Sequence, residues 1–372
     1  MRLQLIQIQL NNEDEAYLIF ETLNTRGKDL AVSDLVKNHL ARLMKPQNKG
    51  VDVHRDRWNG ILDLLESSTA DLDVNRFLHH SWLSRRPYMG EKQLFGAIKE
   101  AVDKNSAASF LDDLVSDATA YRTVFEPDYY KWTKQERPLV ESLRALQIFR
   151  VVQSAPMLLS IVRAHIAKKV SMKQAAGVLR AMEHFHLQFT AITAQRTGGG
   201  TAKMYALGGR SLCEARDKNK ATLVLNEFIE KLRERIPTAA EFAAAFTQLR
   251  YSSENTKQRN LVRYVLMRVD GYFRKGAPVD YDKFSIEHIA PQNPASGMAS
   301  AGVAEIGNLI LVPESVNEDL KNDGFLKKKA KMSAEHVPFD PILENATSWS
   351  DKDIEARSQA LAELAYSTIF VV

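Results

Sequence analysis

From about Val53 to Phe273 the apolar residues return with the period of an α-helix, and that recurrence commits most of the chain to a helical scaffold. Ala175, Val178, Leu179, Met182, Phe185 and Phe189 follow the i, i+3, i+4, i+7 spacing, as do Ala221, Val224, Leu225, Phe228 and Leu232. Each series makes one apolar stripe that needs covering, so a helical bundle or array is expected. No fixed-period repeat is present. Pro46-Gln47-Asn48-Lys49-Gly50 reads as a linker, and Thr193 to Gly200 as a mostly polar loop. Upstream, Gln4 to Leu10 reads as one strand. Asn12 is placed to cap a helix through Ala16, Ile19, Phe20 and Leu23, which Gly27 breaks. A second helix is expected from about Ser33-Asp34 through Leu35, Val36 and Leu40.

The pattern changes after Gly276. Phe284 to Ala290 reads as a short strand, Ile306 to Val312 as a second strand ended by Pro313, and Ser315 onward as a short helix carrying Asn317 and Leu320. Together they make a ββα unit with His288 at the end of its first strand. A closing helix starts where Ser350 and Asp353 form a capping-box pair and Trp349 can staple onto Ile354; its apolar side continues through Leu361 and Ala365. The expected fold is mainly α, a helical domain with a small ββα unit near the C-terminus. The expected divisions are 1–45, 46–275, 276–345 and 346–372.

Composition removes several classes of protein. A chain of 372 residues with 45% hydrophobic and 26% charged residues has room for two or three domains and a sizeable core. The single cysteine, Cys213, rules out an internal disulfide framework and a cysteine-rich zinc site. No run approaches the roughly 18–20 apolar residues of a membrane helix, and the N-terminus lacks the pattern of a signal peptide. A cytoplasmic protein is expected. A net charge of +4 permits nucleic-acid binding without arguing for it, so any basic footprint must be local.

The chemistry concentrates in Ile286-Glu287-His288-Ile289-Ala290-Pro291-Gln292, Gly307-Asn308-Leu309 and Asn317. A carboxylate, an imidazole and two carboxamides in one region suit a one-metal nuclease. A neutral histidine can take a proton from water near pH 7. The carboxylate and an amide oxygen can hold a hard divalent cation, which stabilises the leaving oxygen of a phosphodiester. Each residue alone has an ordinary structural explanation, and it is the ordered combination that points to a nuclease. Lys327, Lys328, Lys329 and Lys331 form the densest basic run, which is either a solvated helix face or a set of phosphate contacts. Arg26-Gly27-Lys28 is read either as a phosphate contact or as a turn with exposed charges. Gly198 to Lys203 lacks the ending of a P-loop. His79-His80 and His184-x-His186 lack the spacing of paired helical ligands and read as core or surface histidines.

The motif from Ile286 to Gln292, with Gly307-Asn308-Leu309, Asn317 and Phe325-Leu326-Lys327-Lys328, resembles the HNH nuclease domain at the C-terminal end of GmrSD-type restriction endonucleases. The His-Ile-x-Pro-Gln string and the nine-residue gap between the asparagines are also similar to the HNH domain of the large CRISPR effector nucleases. Phe20 to Leu30, then Asp34-Leu35-Val36-Lys37-Asn38, resembles the end of a GmrS-type N-terminal domain, and the spacing of Trp349, Ile354, Arg357 and Leu361 resembles the family's closing helix. The resemblance implies that His288 is the general base, that Glu287 and Asn317 are metal ligands, and that Asn308 completes the catalytic set by holding the loop and orienting His288. Lys327, Lys328 and Lys329 are the expected nucleic-acid contacts. Asparagine in place of histidine at the final position favours Mg2+ or Mn2+ over zinc. An upstream Asp-Gly-Gln-Gln-Arg motif is expected of the related domain, but here Asp270-Gly271 is followed by Tyr272-Phe273. NTP hydrolysis is therefore not expected.

The implied activity is metal-dependent endonucleolytic cleavage of DNA, including modified phage DNA, in a restriction or anti-phage system. A separate sensor subunit or a homodimer is the expected assembly, with no membrane partner. The alternatives are a non-catalytic helical DNA-binding or protein-interaction remnant and an RNA-cleaving toxin.

Overall fold

A computed structural model describes residues 31–44, 53–195, 198–275, 277, 279–294 and 298–372. The strand at Gln4 to Leu10, the helix after Asn12, the motif from Phe20 to Leu30 and the Pro46–Gly50 linker lie outside the described residues. Helices dominate, and among the described residues the only sheet is a two-stranded ladder, so the protein is mainly α. The chain divides into two compact units. One comprises Met1–Val140, Val152–Ala175 and Gly198–Leu225; the other comprises Glu141–Val151, Ala176–Thr197 and Asn226–Val372.

The helices of the first unit are α1 (Val32–Leu43), α2 (Val53–Glu66), α3 (Val74–Leu83), α4 (Leu94–Ala101) and α5 (Ala107–Phe125), with the start of α6 (Arg137–Ile148). They continue with α7 (Ala155–Ile166), the start of α8 (Met172–His186), α9 (Gly199–Glu214) and the start of α10 (Lys218–Arg233). The helix expected near Ser33-Asp34 is α1, which buries Val36 and Leu40. Helices α7 and α9 meet at Gly209, where a Cβ would lie 2.5 Å from the Pro156 carbonyl oxygen. The fully buried Asp117 accepts hydrogen bonds from Arg85, Arg163 and Ser81 at 2.7–3.0 Å, which offsets the cost of burying its charge. His79 and His80 are core residues. His80 meets the Tyr121 hydroxyl at 3.1 Å, and burial pushes its imidazole down to about 3, so it stays neutral at ordinary pH.

The second unit holds α11 (Ala239–Phe246), α12 (Arg259–Phe273), β1 (Phe284–His288) and β2 (Leu309–Pro313). It continues with α13 (Glu314–Leu320), α14 (Phe325–Ala334), α15 (Pro341–Asn345) and α16 (Asp351–Leu364). Residues 226–275 thus belong to the same compact unit as the strands. His184 and His186 are buried here, and His184 Nδ1 donates to the Val371 carbonyl at 2.8 Å.

The ladder is antiparallel and pairs Phe284 with Pro313, Glu287 with Ile310, and His288 with Leu309. Pro313 lacks an N–H and ends it. Ile310, Val312, Val316, Leu320, Met332, Val337 and Leu343 form the small core beneath it. Arg263 of α12 donates to the carbonyls of Tyr281 and Phe284, fixing where β1 begins. The closing helix α16 begins at the expected capping box, where Ser350 N donates to Asp353 at 2.7 Å. The Trp349 ring is stacked on Phe325, with centroids 5.3 Å apart.

Arg357 of α16 is buried and bonds to Asp340 at 2.7 Å, to the Gly307 carbonyl at 2.7 Å and to the Leu309 carbonyl at 2.9 Å. Arg357→Met would leave a buried carboxylate and two carbonyls without their donor. A loss of about 3–5 kcal/mol in stability is expected, measurable by urea denaturation; a loss below about 1 kcal/mol would show that the clamp is dispensable.

Candidate active site

The ladder is shorter than the sequence suggests because the next rung is made by a side chain. Ile289 N donates to the Asn308 carbonyl at 2.9 Å, and Ala290 N donates to Asn308 Oδ1 at 2.8 Å. Asn308 Nδ2 donates to the carbonyls of Ala290 and Val303, and Oδ1 also accepts from the Trp349 indole at 3.0 Å. Its amide thus makes two donated and two accepted bonds, and the residue is fully buried. Asn308 therefore holds the loop that follows His288. Residues 306–308 form a 3₁₀ turn before β2 starts at Leu309.

His288 terminates β1. Its Nε2 lies 3.0 Å from the Tyr251 carbonyl oxygen, and a carbonyl only accepts, so Nε2 carries the hydrogen. The two rings stack with centroids 5.9 Å apart. Nδ1 is left as the acceptor and receives the Gln292 amide N–H at 3.3 Å. Gln292 is anchored in turn, since its Oε1 accepts from Ser253 N at 2.9 Å and Ser253 Oγ at 3.0 Å. The segment around Tyr251 is itself fixed: Tyr251 N donates to Ala304 O at 2.8 Å, and Ile306 N donates to Leu249 O at 3.1 Å. Burial pushes the imidazole below its ordinary value; the Tyr251 carbonyl opposes that shift and the nearby Lys328 charge adds to it.

Glu287 faces the other side of the strand, as alternation requires. Ser285 shares its face, and Asn317 Nδ2 donates to Ser285 Oγ at 2.7 Å and to Ile286 O at 3.4 Å. Acid and amide therefore lie on one side of β1 and the imidazole on the other, at the strand's end. Lys328 of α14, only 1% exposed, donates to Glu287 Oε1 and to the His288 carbonyl, the latter at 2.8 Å. Burial pushes the Glu287 carboxyl above the usual carboxylate range, and the Lys328 ammonium opposes that rise.

The lysine run separates by helix face. Lys328 was expected at a phosphate-contacting surface but is enclosed in the site, because it shares the inward face of α14 with Phe325 and Met332. Lys327 is exposed and pairs with Asp323 at 2.9 Å, as does Lys331. Lys329 donates to the carbonyls of Glu344 and Ala346. Tyr251, which accepts through its backbone carbonyl and stacks its ring on His288, belongs to no motif in the sequence. Gln292 lies within the motif, but only the fold reveals its contact with His288.

Among the described residues no cluster of three or more His, Cys, Asp or Glu side chains is disposed to hold a metal ion. Glu287 and Asn317 nevertheless suit a hard cation. The Asn317 amide is oriented through Nδ2, leaving Oδ1 available as a ligand. Glu287 already attracts a cation, the Lys328 ammonium, and a carboxylate has lone pairs enough for a second partner.

The architecture is thus a two-stranded ladder and short helix that set an acid and an amide on one side of β1 and an imidazole on the other, at the strand's end. Residues 236–364 match the family model of the C-terminal domain of GmrSD restriction endonucleases. No curated protein matches the chain. Among the described residues no helix is long and apolar enough to cross a membrane.

Proposed function

We propose that this unit is an HNH-type endonuclease that hydrolyses DNA phosphodiester bonds, with His288 as general base and a divalent cation, Mg2+ or Mn2+, held by Glu287 and Asn317. The observation that carries the reading is the bond from His288 Nε2 to the Tyr251 carbonyl. It fixes one tautomer and leaves the basic lone pair on Nδ1. Burial favours the neutral ring, which is the form able to accept a proton from water. The cation, when bound, would supply charge stabilisation at the phosphoryl group and the departing 3′ oxygen. Asn308 keeps the strand end in place, and Asn317 presents its amide oxygen from α13.

The family supports a restriction role. DNA, including modified phage DNA, is the proposed substrate, and the cytoplasm is the proposed compartment. A sensor subunit or a second copy of this chain is the proposed partner. Lys327 and Lys329 are proposed phosphate contacts at the surface of α14.

Gln292 must withdraw from Nδ1 before water can reach it. Gln292→Ala is therefore expected to raise the single-turnover cleavage rate a few-fold, about fivefold for a bond worth ~1 kcal/mol. A loss greater than tenfold would make Gln292 a required part of the machinery.

The main test incubates plasmid with Mg2+ or Mn2+ and either the parent protein or His288→Ala. Cutting by the parent alone supports the proposal. Equal DNA binding with no cutting by either favours the non-catalytic alternative, which the engagement of both ring nitrogens also suits. Cleavage confined to an RNA substrate would reassign the target.

A further inference from the structure

We propose that Lys328 is the resting counter-ion of this site, and that its charge makes the divalent cation bind together with a nucleic-acid phosphate and not ahead of it. This inference rests on the metal-site reading above.

A lysine is rarely enclosed without a partner, because removing its ammonium from water is costly. Lys328 is only 1% exposed, while its neighbours Lys327 and Lys331 sit toward solvent and pair with Asp323. The Phe325, Lys328 and Met332 spacing turns its stem inward, and the ammonium reaches the end of β1. There it donates to the Glu287 carboxylate and to the carbonyl of His288, the two residues most closely tied to the chemistry.

The charge balance follows from these contacts. Glu287 contributes one negative charge and Lys328 one positive charge. Asn317 is neutral, and His288, donating through Nε2 to the Tyr251 carbonyl and accepting at Nδ1 from Gln292, is a neutral ring. The protein thus offers a divalent cation no net negative charge, and an ammonium stands against one of its ligands. A cation arriving alone meets that repulsion in a half-enclosed site, where charges are weakly screened. A phosphodiester adds the missing negative charge and oxygen ligands. Binding of cation and nucleic acid is then mutually reinforcing, by the same factor in either order.

The test measures Mn2+ binding by the loss of the free-ion electron paramagnetic resonance signal. The samples are the full chain alone and the chain with a short phosphorothioate DNA duplex; Glu287→Gln with the same duplex serves as the blank. The duplex is expected to strengthen Glu287-dependent Mn2+ binding by at least about tenfold. In the absence of DNA, Lys328→Met is expected to strengthen it by a similar factor, and to shrink the gain that the duplex produces. Equal Mn2+ affinity with and without the duplex would overturn the proposal, as would DNA-free Lys328→Met binding no more tightly than the parent. If Lys328→Met does not fold, as judged by circular dichroism, the parent's response to the duplex decides alone. Plasmid cleavage that depends on His288 remains a separate readout, so a failure of the charge coupling is distinguishable from a failure of the nuclease reading.

Discussion

Replacing His288 by alanine is expected to slow plasmid cleavage by at least about 10²–10⁴-fold, the usual contribution of a general base. The ring's position explains why the effect should be catalytic and not a collapse of the fold. His288 closes the strand, but the ladder beyond it is carried by Asn308 and does not depend on the imidazole. The substitution removes the bond to the Tyr251 carbonyl, worth ~1 kcal/mol. Thermal melting and DNA binding should therefore stay near those of the parent. The pH profile supplies a second check. With His288 as the proposed general base, the neutral ring is the active form, so activity is expected to be lost as pH falls through the imidazole's value in the folded protein. Burial holds that value below the ordinary 6.5, placing the acid limb of the profile below 6.5. Parent-like cutting by His288→Ala in single-turnover assays would end the assignment.

Gly307→Ala is expected to destabilise the second unit by about 3–5 kcal/mol, at the severe end for one methyl group. An added Cβ would fall inside van der Waals contact of the Ile354 carbonyl and the Ser358 hydroxyl, and 2.9 Å from Ser358 N. These groups belong largely to the backbone of α16 and cannot rotate away. Gly307 N also donates to Ser358 Oγ at 3.0 Å, and its carbonyl accepts from Arg357 at 2.7 Å. Displacing this turn would carry Asn308 with it and loosen the loop after His288. Urea denaturation gives the first readout and cleavage rate the second. A midpoint unchanged from the parent would show that helix and turn can separate without cost.

Different physical scales explain what the sequence revealed. The helical period is local, and the stripes around Phe185 and Phe228 are buried as expected. The ββα order was equally legible, since short apolar runs and Pro313 mark it directly. The position of Lys328 does not follow from charge, since a lysine-rich helix suggests a solvated face. Its 3.6-residue phase with Phe325 and Met332 carried the missing information. Gly307 reads as a turn residue from its neighbours alone, whereas its requirement comes from α16, some fifty positions along the chain. The Tyr251 carbonyl left no trace at all, because every residue type offers a carbonyl. The grouping of residues 226–275 with the strands likewise depends on contacts distant in sequence.

Trp349 donates its indole N–H to the amide that closes the strand end, and lies flat against Phe325. It is also the one tryptophan in the second unit, since the others fall at positions 58, 82 and 132. Nature has thus installed an optical probe one hydrogen bond away from the loop after His288. A change at that junction would alter the colour and yield of its ultraviolet emission, so occupancy could be followed in real time without attaching a dye.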